Sequence, residues 1–213
     1  MKKIILIAAI AIFGLGLGNA QEIKFGAKAG LNLSSIGGDE TDDVESRTGF
    51  HVGGVAEIMI SDKFAFQPEL VYSSQGAKNE FSESGNGFSF TEESELKLTY
   101  LNIPLLAKYY VADGFSIEAG PQIGILLSAD AEFTETETFG GVTETFSGEA
   151  DVKDDVSSID LGVGVGLGYK MDSGLNFAVR YNLGLSNIND FEGSDDFKQQ
   201  NNVIQVSVGY FFN

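Results

Sequence analysis

The stretch that most constrains this chain is Ile159–Lys170. There Ile159, Leu161, Val163, Val165, Leu167 and Tyr169 alternate with Asp160, Gly162, Gly164, Gly166, Gly168 and Lys170. A strict period of two makes a β-strand with one apolar face. The opposite face is glycine bounded by charge, too sparsely polar for an ordinary solvated wall. Seven further segments show the same alternation: 24–33, 50–60, 64–73, 100–109, 115–127, 175–185 and 203–212. Each is about 9–13 residues long, the span of a tilted strand crossing a bilayer. Soluble strands centre nearer five or six residues.

The joins between segments alternate in length. Ser61-Asp62-Lys63, Val111–Gly114 and Met171–Gly174 are tight turns, whereas 34–47, 76–95, 129–157 and 187–201 are long. A chain with joins that run long, short, long, short gathers its long loops at one end, as transmembrane barrels do. Of the 31 acidic residues, 23 fall in those four long joins, against only 13 Lys and Arg in the whole chain. This polyanionic end repels anions and suits weakly held divalent cations or basic partners. It leaves no electrostatic basis for nucleic-acid binding. Phe133–Phe146, rich in Thr and Glu around Gly140-Gly141, reads either as a hairpin continuing beyond the membrane or as a solvated, self-repelling loop.

At the N-terminus, Met1-Lys2-Lys3 precedes an apolar run from Ile4 to Leu17 and the small residues Gly18-Asn19-Ala20. This pattern predicts a signal peptide over residues 1–20, cleaved before Gln21, and a single mature domain over 21–213. The apolar run is too short for a membrane anchor. The chain has no Cys, so disulfides, thiolate metal sites and thiol nucleophiles are excluded.

Strands can cross a membrane only as a closed barrel, because every backbone N–H and C=O must be paired there. The expected fold is therefore all-β: an eight-stranded antiparallel transmembrane β-barrel with up-and-down meander order. Aromatics Phe64, Tyr109, Tyr110, Phe115, Tyr169, Phe177 and Phe212 gather at the short-turn end as a girdle, with Phe50, Tyr72 and Tyr181 at the other. The inward face carries Lys28, Glu57, Glu69, Lys108, Glu118, Asp160 and Arg180. An eight-stranded lumen is filled by side chains. Four acids and three bases there predict a paired interior charge network that closes it, since unpaired buried charge is very costly. A carboxylate pair acting as acid and base, or a narrow leaky path, are the alternatives for the same residues. His51, the only histidine, reads as a rim residue. No nucleotide loop, zinc motif or calcium-loop spacing is present, so no catalytic residue, resident metal or cofactor is assigned.

Pro68, Pro104 and Pro121 all fall inside predicted strands, where each removes a ladder donor. In an edgeless barrel they require bulges or locally displaced pairing.

The sequence resembles the bacterial outer-membrane β-barrel domain family of PorT-like type common in Bacteroidota, and more distantly the eight-stranded OmpA and OmpX barrels. The resemblance rests on residues 26–33 (GAKAGLNL), 68–76 (PELVYSSQG) and 100–109 (YLNIPLLAKY), with Gly120-Pro121, the glycine run 162–168 and Arg180-Tyr181. It implies a protein of the cell outer membrane, embedded in outer-membrane lipids, a monomer with both termini periplasmic. It also implies insertion by the barrel-assembly machinery, which reads a terminal strand ending in an aromatic; Tyr210-Phe211-Phe212 fits, although Asn213 follows. The expected role is non-enzymatic, in adhesion, surface shielding or partner docking. A small cation-preferring pore and a soluble, secreted lipocalin-like barrel are the alternatives.

Overall fold

The computed structural model describes residues 22–41, 43–191 and 193–212. The expected signal peptide at residues 1–20 lies outside the described residues. The strands are β1 (Ile23–Gly38), β2 (Val44–Met59), β3 (Phe64–Gly85), β4 (Phe88–Ala112), β5 (Phe115–Phe139), β6 (Val142–Asp151), β7 (Ile159–Lys170), β8 (Leu175–Gly184) and β9 (Gln199–Phe212). All pair antiparallel. β1–β5 and β7–β9 form a meander of eight strands, closed where β1 pairs with β9 from Phe25↔Phe212 to Gly38↔Gln199. β6 stands outside this ring and pairs with β5.

The alternation sorts residues between two environments. Leu161, Val165 and Leu167 on β7, and Val206 and Val208 on β9, point outward and are exposed. Glu57, Glu69, Lys108, Glu118 and Arg180 point inward and are buried. A barrel made for water has these faces the other way round. At the short-turn end Phe64 packs tilted against Tyr109, with ring centroids 4.8 Å apart, and Tyr210 meets Phe212 edge to face at 5.9 Å. Phe50 and Tyr72 pair at 5.9 Å toward the opposite end.

Two of the expected long loops are largely strand. β3, β4 and β5 run 22, 25 and 25 residues, so the segment 76–95 is a continuous hairpin turning at Asn86-Gly87. Both turn residues have positive φ, 46° and 81°, and Gly140-Gly141 repeats this at 59° and 84°. Two successive positive φ values give the turn whose twist matches that of the flanking strands. The stretch Phe133–Phe146 is thus the hairpin continuation rather than a solvated loop. Beyond the membrane band, β3–β6 form a four-stranded sheet. One face carries the cross-strand row Ser82, Thr91, Thr136 and Thr145. The other carries Phe81 beside Phe90 and Phe133 beside Phe146, with ring centroids 6.4 and 5.8 Å apart.

The prolines are accommodated without bulges at their own positions. Paired register is interrupted between Pro68↔Leu105 and Val71↔Asn102, and between Pro104↔Gln122 and Ala107↔Ala119, yet resumes unshifted. A local gap in the ladder, rather than a bulge or a displaced register, is the device used. The register shifts lie elsewhere, at Ser46/His51, Thr99/Tyr100 and Tyr110/Ala112.

The remaining connections fold inward over the long-loop end. Val156 bridges to Asn189, the Ser157 N–H donates to the Ile188 carbonyl at 2.7 Å, and the Leu126 N–H donates to the Ser158 carbonyl at 3.0 Å. Val156 and Ile188 thereby join Ile36, Leu98, Tyr100 and Leu126 in a buried apolar cluster.

Candidate functional site

The lumen is where the charged side chains meet, and it is filled in layers. At the short-turn end, Glu57 on β2 is the hub. It accepts from Lys108 Nζ at 2.9 Å, from Tyr110 Oη at 2.5 Å, and from Lys170 Nζ. Both lysines also sit over the Tyr110 and Phe211 rings, at 5.1–5.7 Å from the centroids. Cations placed over ring faces gain electrostatic stabilisation that is greater where water is excluded. Gln67 links this layer to the next: its Oε1 accepts from Lys108 at 2.9 Å, and its Nε2 donates to Glu69 at 2.7 Å.

The second layer centres on Glu69 and Arg180. The guanidinium donates to both Glu69 oxygens, at 3.0 and 2.8 Å, and through Nε to Glu118 at 2.9 Å. Lys28 Nζ adds a bond to Glu69 at 3.1 Å. The two-pronged match of a planar guanidinium to a carboxylate is the strongest geometry available to such a pair. Glycine makes room for it: a Cβ at Gly166 would lie 2.7 Å from the Val179 carbonyl and 3.1 Å from Glu118 Oε1.

Six of the seven residues expected in the charge network are therefore joined: Lys28, Glu57, Glu69, Lys108, Glu118 and Arg180. Asp160 is not. It lies apart, toward the long-loop end, and accepts from the Ser186 hydroxyl at 2.8 Å. The cause is barrel height, since Asp160 opens β7 while Arg180 is central to β8. Sharing the lumenal face is not the same as sharing a level. Conversely, Lys170 belongs to the network, and so does Tyr110, which points into the lumen rather than into the girdle expected of it. Each continues the inward alternation of its strand, Lys170 after Gly168 and Tyr110 after Lys108, and that phase was the available signal.

The third layer corrects the reading of His51 as a rim residue. Strand β2 begins at Val44, well before Phe50, so His51 is mid-strand and only 1% exposed. Its Nδ1 lies 2.8 Å from Asn32 Oδ1 and its Nε2 lies 2.9 Å from Ser207 Oγ. Donation from Nδ1 to Asn32 leaves Nε2 to accept the Ser207 proton. The ring packs against Gly30, where a Cβ would stand 2.7 Å from His51 Cε1 and 2.0 Å from the Val206 carbonyl. A serine, a histidine and an orienting amide in line are the parts of a nucleophile relay. Here they are enclosed, with Ser207 only 6% exposed. The amide protons of Asn32 are committed to the Phe50 and Ser74 carbonyls and to Ser73 Oγ. The relay also needs donors aimed at an incoming carbonyl oxygen. Among the described residues, no group of three or more His, Asp or Glu is placed to hold a metal ion.

The apolar cluster of Ile36, Leu98, Tyr100, Leu126, Val156 and Ile188 lies beyond these layers. The outer membrane protein beta-barrel domain model matches residues 19–190. The chain belongs to that family. It is a protein of the outer membrane, and its outward leucines, valines and aromatics face lipid. No curated protein matches it. Among solved structures it is similar to Ail, the attachment invasion locus protein of Yersinia pestis, at 13% identity over 90% of this chain and 99% of that one, with a TM-score of 0.46. Neisserial surface protein A shares 14% identity over 88% and 97% of the two chains, with a TM-score of 0.43. CarO2 of Acinetobacter baumannii shares 15% over 91% and 100%, also with a TM-score of 0.43.

Proposed function

We propose that this is a non-enzymatic barrel whose lumen is closed to ions and whose acidic sheet, β3–β6, is its working surface. One observation carries the reading: the paired stack Glu57–Lys108–Gln67–Glu69–Arg180–Glu118 runs through the lumen, beneath an apolar cluster. A path for ions would need water-lined space where these side chains interlock. With the long connections outside and the tight turns periplasmic, the protruding sheet presents its carboxylates at the cell surface. There it serves adhesion, shielding or docking of basic partners, and holds divalent cations weakly. The mature domain is residues 21–213, released from a signal peptide at 1–20. It inserts as a monomer through the barrel-assembly machinery, guided by the aromatic terminal strand.

Planar-bilayer recording tests the closed lumen: the wild type should give no sustained unitary openings, and regular openings with cation preference would replace this reading with that of a small pore. The non-enzymatic reading has its own check. A fluorophosphonate probe should leave Ser207 unlabelled in the folded protein; labelling that vanishes in both Ser207→Ala and His51→Ala would establish a working nucleophile.

A further inference from the structure

The four-stranded sheet beyond the membrane band has two unlike faces. Phe81, Phe88, Phe90, Phe133, Phe139 and Phe146 all share one of them. The other holds no aromatic residue, and its two upper cross-strand rows are all Ser and Thr. The phenylalanine face keeps the phase of Leu96 and Leu98, so it continues the lumenal side of the wall; the hydroxyl face continues the lipid side. A sheet with one apolar face is normally covered there by a second layer. Here Phe81, Phe139 and Phe146 stay more than half exposed. The same face carries Glu83, Glu92, Glu135, Glu137 and Glu144, and no Lys or Arg. Glu92 stands directly opposite Glu135, and Glu137 opposite Glu144. Like charges so placed destabilise a sheet. Among the described residues none of the five has an ion-pair partner, while Lys78 and Lys97, on the other face, pair with Glu95 and Glu132.

We propose that the phenylalanine face docks a cationic amphipathic helix of a polypeptide partner. The inference rests on the reading of β3–β6 as the working surface, and adds which side is used and what chemistry the partner has. Four strands about 4.8 Å apart, carrying four rows about 6.8 Å apart, give a face about 14 by 20 Å. An α-helix is about 10 Å across, so one helix of about 13 residues fits along it. The helix's apolar stripe covers the open rings. Lys and Arg at its margins meet the glutamates and relieve the two like-charge pairs, and Arg also rests on ring faces. Charge decides against other occupants. A second copy of this chain would set glutamate against glutamate. Anionic lipid headgroups are repelled in the same way. A small cation would neutralise carboxylates and leave the phenylalanines uncovered.

Fluorescence anisotropy on the full chain in zwitterionic nanodiscs tests the inference with three labelled peptides of about 14 residues. One is a Leu/Lys amphipathic helix, one a Gly/Lys peptide of equal charge, and one a Leu/Glu helix. Empty discs supply the background, and heat-modifiable gel mobility confirms that each variant is folded. The Leu/Lys helix should bind the wild type more tightly than either control peptide. Phe139→Ser/Phe146→Ser should weaken it about tenfold, as for the loss of two interface anchors. Glu137→Gln/Glu144→Gln should weaken it about threefold, as for exposed ion pairs, and flatten its salt dependence. Glu93→Gln/Glu149→Gln, which removes the same charge from the hydroxyl face, should leave binding unchanged. Equal affinity of the wild type and Phe139→Ser/Phe146→Ser would overturn the inference, as would either control peptide binding as tightly as the Leu/Lys helix. Loss confined to Glu93→Gln/Glu149→Gln would overturn the chosen face and keep the sheet as the working surface. No binding of the Leu/Lys helix above background would overturn the face and the sheet's docking of basic partners together.

Discussion

The two halves of the lumen are closed by different chemistry. Toward the short turns, closure is ionic: Lys28, Lys108, Lys170 and Arg180 are each paired with Glu57, Glu69 or Glu118. Toward the long loops it is apolar, made by Leu98, Tyr100, Leu126, Val156 and Ile188. The ionic half is built entirely from strand residues, each held at a set height by its ladder. The apolar half borrows Val156 and Ile188 from connections, so its closure depends on how those loops fold back. The difference shows that a narrow barrel can be filled by fixed pairs where the wall is regular, and by a loop-borne cap where it is not.

The largest expected effect is on the ionic half. Arg180→Ala leaves Glu69 and Glu118 buried with only Lys28 to balance them, and should cost about 3–5 kcal/mol in detergent or bilayer unfolding. Glu57→Ala strands Lys108 and Lys170, and should come next at about 3 kcal/mol, eased because Lys170 lies near the mouth and can turn outward. If both variants unfold like the wild type, the ionic half is not what holds the lumen.

The cap should respond on another scale. Leu98→Ala removes a fully buried side chain from the apolar cluster and should cost about 2–4 kcal/mol. Its conductance should stay at the wild-type baseline, because the ionic layers still block the path. Openings in Leu98→Ala alone would show that the cap, rather than the ion pairs, is the barrier.

The smallest effect belongs outside the membrane band, at the Arg47–Glu95 pair. Arg47 Nε donates to Glu95 at 2.5 Å, and Arg47 also donates to Ser74 Oγ and the Gln75 carbonyl. Partial burial tends to raise the Glu95 carboxyl, but the bond and charge of Arg47 outweigh it and hold the group below its usual range. A depressed folded value means that Glu95 stabilises above its unfolded value. That contribution fades as pH falls through the folded one. Glu95→Gln should therefore cost at most about 1 kcal/mol at neutral pH. It should also flatten the loss of stability below about pH 4. An acid profile identical to that of the wild type would remove this pair from the account.

Much of this was legible in the chain because lipid and lumen impose opposite demands on alternate residues. The eight barrel strands, their meander and the inward placement of Lys28, Glu57, Glu69, Lys108, Glu118 and Arg180 follow from phase alone. Height does not: Asp160 has the right phase and the wrong level, since shear and tilt decide which inward residues meet. His51 was misplaced because Gly49 and the register shift at Ser46/His51 interrupt the alternation of β2, hiding its true start. The hairpin at Asn86-Gly87 was obscured by the acids around it, although that dipeptide is itself a strong turn signal. Charge density reads as loop; here it decorates strands that have left the membrane and face water on both sides.

All of these contrasts depend on which side of the wall meets hydrocarbon. Spin labels placed singly at Leu161, Val165 and Leu167 in bilayer-reconstituted protein measure this directly through relaxation by oxygen, which dissolves in lipid, and by a water-soluble nickel chelate. All three labels should be relaxed by oxygen and shielded from nickel. Strong nickel relaxation at these three positions would place water against the apolar face and contradict the fold and the plugged lumen together.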